Sequence, residues 1–259
     1  MRPIHPGIAT LLVMAALTPL HAQTRPDSLT PAQTALACAP APSAEPPPEA
    51  PRLLGAQDTL RHTLLAPQDL LIVGSGTQAG LQLGQQFFIR RQPGAYMGRP
   101  GGAYMGRASG SMTSTTAGWL RIVALNETTA IAAVEHVCGA IFRDDVLVPF
   151  EAPAVPADAD DNAGGELDFT SLGRVLAAPE NHVSAAPGEY VVIDRGRDHG
   201  IEPGARLAIY RDLQSPGMPL AALGEAIVMS SGMSAAVIRI TRARDAVLTG
   251  DYLVPRKKL

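Results

Sequence analysis

Residues Val191 to Arg211 read VVIDRGRDHGIEPGARLAIYR: an apolar strand, a turn punctuated by glycines, and a second strand ending in Tyr210-Arg211. The same pattern stands earlier, at Leu71 to Arg91, as LIVGSGTQAGLQLGQQFFIRR. An offset of 120 carries Gly196, Gly200, Ile201, Gly204, Ile209 and Arg211 onto Gly76, Gly80, Leu81, Gly84, Ile89 and Arg91 without a gap. Glycine at three places, with an apolar residue after the second, suits a tight turn between strands, because glycine takes backbone angles closed to other residues. The chain therefore reads as two copies of one module.

The self-similarity extends both ways. Upstream, RLLGAQDTLRHTLLAP from Arg52 matches RVLAAPENHVSAAP at Arg174 to Pro187 once two extra residues are allowed in the first copy. Downstream, Gly118 to Pro149 matches Gly224 to Pro255 at an offset of 106, which also places Asp145 on Asp251. The fall in offset from 120 to 106 gives copy one 14 extra residues between Arg91 and Gly118. Within them Gly94 to Arg99, GAYMGR, recurs as Gly102 to Arg107. So glycine-rich a stretch predicts an inserted loop over 92–117. Loops on a rigid scaffold commonly carry binding, which makes Tyr96, Met97, Arg99, Tyr104, Met105 and Arg107 candidate contact residues. A slippage duplication tolerated on a surface accounts for the same pattern.

Within each module the hydrophobic period is two. Leu70 to Val73, Phe87 to Arg90, Trp119 to Ala124, Ala130 to Val134 and Val146 to Val148 are short apolar runs bounded by turn formers. Ile227 to Ile240 reads as strand, turn at Ser230-Ser231-Gly232, strand, with Leu125 to Thr128 as the matching turn in copy one. Neither module offers a helix of any length. The expected class is all-β: two tandem homologous small β-barrel or β-sandwich modules, since closure removes exposed strand edges.

The flanks have their own character. Residues 1–22 read as a signal peptide, with Arg2 as the positive end, Ile8 to Leu20 as the apolar run and Leu20-His21-Ala22 as the cleavage site. That run is shorter than the roughly 20 residues of a spanning helix, so no transmembrane helix is expected in the mature chain. Residues 23–51, with Pro46-Pro47-Pro48, read as a Pro/Ala-rich tether too poor in apolar side chains to pack, with room for one strand or turn near Cys38. The modules occupy 52–150 and 174–259, separated by an acidic linker at 151–173 with no basic residue. In that linker Asp158, Asp160 and Asn162 begin like a calcium loop. Ala163 and Phe169 stand where its glycine and bidentate glutamate belong, so a solvated linker is expected.

The cysteines are Cys38 and Cys138, a disulfide candidate for an oxidising compartment. Two unpaired thiols, or a lipid on Cys38, are the alternatives. The formal charge of -3 and the lack of a concentrated basic face argue against nucleic acid as a partner.

Reactive constellations are sparse. Asp69 to Gly80, DLLIVGSGTQAG, looks like a dinucleotide-binding glycine loop. A turn and strand follow it instead of the helix whose N-terminus would hold the pyrophosphate. His62, His136, His182 and His199 have no ligand spacing, so neither a cofactor nor a metal is expected. His136 and Cys138, two residues apart in a strand, face one side and permit a thiol–imidazole pair, with a structural role as the preferred reading. Asp194, Arg195, Arg197, Asp198 and His199 crowd one turn of copy two. They are candidate binding residues, or charges solvated and paired among themselves. Arg239, Arg242 and Arg244 form a modest basic patch.

Copy two combines Gly196, Gly200, Ile201, Pro203, Gly204, a strand ending in Tyr210-Arg211, and a closing Gly250-Asp251-Tyr252. In copy one Leu83 replaces the proline, Arg90 the tyrosine, and Asp144-Asp145-Val146 the closing triplet. This pattern resembles the β-rich repeats found beside LysM domains in bacterial envelope proteins. It is also similar to the C-terminal domain of the flagellar assembly protein T family. Gln57-Asp58-Thr59-Leu60 is like a LysM signature, yet the accompanying Tyr-x-Val and helix pair are missing, so the resemblance does not extend to LysM itself. Together with the signal peptide, the tether, the two-copy module and the absence of a convergent catalytic set, it leads to the expectation of a non-catalytic, exported envelope protein, periplasmic or outer-membrane-associated, acting as a structural or binding adaptor. Its implied partners are other envelope proteins or cell-wall polymer. One alternative is a polysaccharide- or peptidoglycan-binding module using Tyr96, Tyr104 or Trp119, although Trp119 is expected in the core. Another is an envelope hydrolase or thiol-dependent enzyme using Cys138 and His136.

Overall fold

The computed structural model describes residues 29–42, 49–58, 66–92, 113–157, 166–178 and 182–256. The signal peptide and Tyr96, Arg99, Tyr104 and Arg107 lie outside the described residues. A helix, α1 (Pro31–Ala37), and a short strand, β1 (Ala41–Pro42), precede the first module. That module comprises β2 (Leu53–Ala56), β3 (Leu70–Val73), β4 (Gln86–Arg91), β5 (Thr113–Leu125), β6 (Ala130–Val137) and β7 (Val146–Pro149). The second comprises β8 (Gly173–Ala177), β9 (Ser184–Ala185), β10 (Tyr190–Ile193), β11 (Arg206–Arg211), β12 (Ala221–Ser231), β13 (Ala236–Ala243), β14 (Val247–Leu248) and β15 (Tyr252–Pro255). Among the described residues no helix is long and apolar enough to cross a membrane.

In module two β10-β13-β12-β11-β15-β8 form a closed antiparallel barrel, sealed where Tyr252 pairs with Arg174 and Leu253 with Gly173. Module one repeats the order as β2-β3-β6-β5-β4-β7, a curled sheet whose ends meet at the Arg52 to Val146 bridge and at flanking backbone hydrogen bonds, Leu53 N–H to the Asp145 carbonyl at 3.0 Å and Leu147 N–H to the Pro51 carbonyl at 2.8 Å. The period of two sorts the side chains. On β11 Leu207 and Ile209 point into the barrel, as Phe87 and Ile89 do on β4. Burying each such side chain contributes about 1.5–3 kcal/mol.

The duplicated glycines are structural. A short 3-10 turn at Arg197–His199 in module two is matched by one at Thr77–Ala79 in module one. The N–H groups of Arg197 and Thr77 donate to the carbonyls of Gly232 and Asn126 in the facing hairpin. So close is this approach that a Cβ on Gly196 or Gly76 would collide with that hairpin's backbone. Gly200 and Gly80 then leave the turn at φ of 73° and 81°, a region costly for L side chains.

Both modules also share an ion pair. Arg211 donates from Nε to Asp251 Oδ1 at 2.8 Å and from Nη2 to Oδ2 at 2.7 Å, and Nη2 also reaches the carbonyl of Ala246 at 2.6 Å. Arg91 grips Asp145 with the same two nitrogens, at 3.2 and 3.0 Å, and reaches the carbonyl of Ala140. Each carboxylate further accepts a backbone N–H, from Leu248 at 2.7 Å and Phe142 at 2.9 Å. The residue before the aspartate has positive φ in both copies: Gly250 at 92° and Asp144 at 68°. Aspartate is among the few non-glycine residues that tolerate this, so the copy-one departure keeps the backbone path.

The N-terminal segment differs from the sequence expectation. Rather than an unpacked tether, 29–42 contains α1 and β1, with Leu36, Ala37 and Ala39 buried. Thr30 and Gln33 form a capping box, the Thr30 N–H meeting Gln33 Oε1 at 2.9 Å and the Gln33 N–H meeting Thr30 Oγ1 at 3.2 Å. Pro31 at the start of the helix costs no hydrogen bond. The loop expected over 92–117 is likewise shorter, because Thr113–Ala117 belong to β5. Ser114 and Thr113 pair with Ala41 and Pro42 of β1, and Thr115 and Thr116 with Arg91 and Arg90 of β4. Threonine suits this extended backbone, and Thr113 and Thr116 are buried in it.

Helix α1 lies between the barrels. Leu36 and Ala39 pack on Val192, Ile227, Met229 and Val237, the outer wall of barrel two. Ala37 packs on Phe88 and Trp119, the outer wall of module one, with Leu29, Cys38, Cys138 and Phe150 around them. The two outer walls have exchanged chemistry at equivalent positions. Where barrel two has Ile227, module one has Arg121, bound to Glu135 at 2.5 Å. Where module one has Trp119, barrel two has Glu225, bound to Arg242 at 2.8 Å and Arg256 at 2.7 Å. The linker is not wholly solvated either: Val155 joins the cluster under α1, and Leu167 bridges to Arg256. Its Asp158, Asp160 and Asp161 lie outside the described residues.

Removing one partner of a buried ion pair strands the other, at a cost of about 3 kcal/mol or more. Asp251→Ala is therefore expected to lower the stability of barrel two by about that amount, and Asp145→Ala that of module one. Urea unfolding read by circular dichroism and by barrel-resolved hydrogen exchange checks this; losses below about 0.5 kcal/mol, the scale of an ordinary surface change, would show that the clamps hold nothing. A second expectation concerns pH. Burial pushes the Glu225 carboxyl up, but hydrogen bonds from Arg242 and Arg256 outweigh it and hold the group below its ordinary value. Because the folded value is the lower one, this stabilisation is present above the ordinary carboxylate range and is lost as pH falls through the folded value. An NMR titration should place the Glu225 midpoint below that of a free glutamate, and Arg256→Ala should move it up; an unmoved midpoint would contradict the bridge.

Candidate functional site

The charge-crowded turn at Asp194 to His199 sits at one end of barrel two. Asp194 accepts the backbone N–H of Arg174 at 2.6 Å, and Arg195 Nη1 donates to the Asp194 carbonyl at 2.9 Å. The Asp194 bond, with the Asp194 N–H donating back to the Arg174 carbonyl at 3.1 Å, ties the turn to the first residues of β8, while the Arg195 bond stays within the turn. Asp198 and His199 pair with each other at 2.6 Å, and with Arg197 they are exposed. The structure thus divides the set: Asp194 and Arg195 hold the frame, while Arg197, Asp198 and His199 face solvent. The basic patch divides too, since Arg242 is bound to Glu225 and Arg239 lies across from Tyr190 in the β10–β13 ladder.

A denser constellation has formed around the cysteines. Cys38 and Cys138 are joined by a disulfide with a Cα–Cα distance of 5.4 Å. Sequence spacing left His136 scattered, yet its ring nitrogen and both sulfurs lie within 4.8 Å of one another. Three elements place them. Cys38 caps α1, donating its N–H to the Thr34 carbonyl at 3.0 Å. Cys138 follows β6 and donates to the Ala117 carbonyl at 2.9 Å. His136 stands in β6 opposite Trp119 of β5. The i, i+2 spacing of His136 and Cys138 was visible in the sequence, and the expected Cys38–Cys138 disulfide has formed; the helix that carries Cys38 to its partner was not expected.

Aromatic rings wall this cluster. The His136 ring stacks on Trp119 with centroids 4.3 Å apart and planes 16° from parallel. Phe88 meets Trp119 edge-on at 6.3 Å, and Phe150 lies 4.6 Å from Phe88 and 5.6 Å from Trp119. Trp119 is only 7% exposed, so it is a packing residue, on the outer wall rather than inside the barrel, and offers no platform for a sugar. The Arg90 guanidinium lies 4.5 Å over the Phe88 ring and bonds the Thr116 hydroxyl, which donates to the Ala39 carbonyl at 2.7 Å. Burial pushes Arg90 down to about 10.

Beside the turn of module one is a cavity of about 240 Å³, lined by Leu81, Phe87, Leu147 and Pro149 among others. Among the described residues Gln85 is the only polar side chain in its lining, so those residues offer apolar contact and no group able to act as acid, base or nucleophile. In the cysteine cluster both sulfurs are bonded, which leaves the thiol–imidazole pair without a nucleophile in this form. No known protein-family model matches this chain, and no curated protein matches it.

Proposed function

We propose that this chain is a non-catalytic protein of the cell envelope, exported to the periplasm or the outer-membrane face, in which two β-barrel modules form a structural or binding adaptor for other envelope proteins or cell-wall polymer. One observation carries the reading. Helix α1 is lodged between the modules and fastened to the first by the Cys38–Cys138 bridge. A bridge of this kind suits an oxidising compartment, in keeping with the leader-like character of residues 1–22. The two modules keep their interiors alike and differ in their outer walls and in the 14-residue insertion of copy one, as expected where surfaces rather than a reactive centre carry the activity. The turn pattern resembling the repeats beside LysM domains, and the C-terminal domain of flagellar assembly protein T, points the same way.

The test is capture from envelope extracts. The mature chain, recovered from the periplasm, is expected to retain a defined envelope protein or wall polymer. Deleting residues 94–107 should reduce retention at least several-fold if the insertion supplies the contact residues Tyr96, Arg99, Tyr104 and Arg107, and leave it intact if the turn at Arg197, Asp198 and His199 does so. Retention of nothing, or a chain fractionating wholly with the cytoplasm, would overturn the proposal.

A further inference from the structure

We propose that Cys38, Cys138 and His136 form a redox-gated site for a thiophilic metal cation, shut as the disulfide and opened by a dithiol reductant. Two thiolates and one imidazole are the donor types such a cation selects. Here all three donor atoms already lie within 4.8 Å of one another. The Cα–Cα distance of 5.4 Å suits a chelating pair as well as a bridge. With zinc–sulfur bonds of about 2.3 Å, the sulfurs need only swing apart by rotation about their own side-chain bonds.

The donors have supports besides the bridge. Cys38 is carried by α1, whose capping box and buried Leu36 and Ala37 also hold it. His136 is fixed by the β5–β6 ladder and by its stacking on Trp119, and Cys138 by its hydrogen bond to Ala117. The setting also favours metal over free thiolates. Two thiolates beside Trp119, Phe88 and Phe150 would bring uncompensated charge against apolar rings, whereas a divalent cation makes the assembly neutral. With three protein donors, a bound zinc would take its fourth ligand from solvent. All three residues are half-buried, so reductant and cation have access. The site belongs to copy one alone, since the offset of 106 places Arg242 and Arg244 of copy two at the positions of His136 and Cys138.

The chemistry balances. A dithiol passes two electrons and two protons to the Cys38–Cys138 bond, becoming a disulfide itself and leaving two thiols. The cation then binds both sulfurs and displaces their two protons to solvent.

Zinc is the probe. The full mature chain, reduced and freed of reductant, is expected to bind one equivalent in competition with a chromophoric chelator, and the oxidised chain none. Cobalt in place of zinc should give a thiolate-to-metal charge-transfer absorption. Zinc should also alter the fluorescence of Trp119, the single tryptophan, which stacks on the ligand His136. His136→Ala should weaken binding by more than about tenfold, the least that losing even an outer-shell partner of a metal ligand costs, and the double variant Cys38→Ser with Cys138→Ser should abolish it. Zinc uptake equal to that of the double variant, or indifferent to His136→Ala, would overturn the proposal. So would a reduced chain that loses its near-ultraviolet circular dichroism and does not regain it with zinc.

Discussion

A guanidinium held by a buried carboxylate fastens the end of one strand in each module to the hairpin that closes the sheet. Arg211 ends β11, and Asp251 stands just before β15; the bidentate grip fixes where β15 begins and so the register in which it meets β8. Further hydrogen bonds, from Leu248 N–H to Asp251 and from Arg211 to the Ala246 carbonyl, satisfy polar groups that the turn would otherwise bury. Buried charge is tolerable only with such complete partnering. The same atoms make the same contacts at Arg91 and Asp145. Beside each clamp the backbone bonds are matched too: Leu53 N–H meets the Asp145 carbonyl at 3.0 Å in module one and Val175 N–H meets the Asp251 carbonyl at 2.9 Å in module two, so clamp and seam come together in both copies.

With register fixed, the period of two assigns every second side chain to the interior, and there the copies agree. Outside they part. The outer wall of each has one patch apolar and another laced with ions, and the patches are interchanged: Trp119 against Glu225, Ile227 against Arg121. One short helix lies against both apolar patches, which fall at different places on the two modules. A chain of two identical copies would offer α1 the same patch twice, with ions at the other place in each.

The glycine positions, strand periods and two offsets made the barrels legible in the sequence. Arg91 and Arg211 were visible as a repeated residue, as were Asp145 and Asp251. Their pairing was not visible, because the arginines fall in the block with offset 120 and the aspartates in the block with offset 106. The helix was hidden for a different reason. A composition of Pro, Ala and Thr argues against a packed segment, and it outweighed the local signal of Thr30, Pro31 and Gln33, a cap of the expected spacing. The pairings of His136 with Cys138 and of Cys138 with Cys38 were each legible, but the three were not joined into one cluster, because Cys38 lies 100 residues from Cys138 and arrives by tertiary docking. The charged turn shows the opposite error: it looked like one cluster, and backbone geometry split it into framing and exposed members.

These facts bear on what the helix is for. Each module has its own buried core, which does not include α1: Leu36 and Ala37 belong to separate clusters on the outer walls. The barrels have no need of the helix to bury their interiors. What α1 adds is a fixed separation and orientation between two walls, and the bridge to Cys138 makes that placement covalent on one side. On the other side it is held by packing alone, through Leu36 and Ala39. Loosening the bridge would thus act on the relation between the modules rather than on either module, and any partner that spans both would feel it. The same sulfurs that set this geometry are the ones a reductant reaches, which places chemical control at the joint of the scaffold.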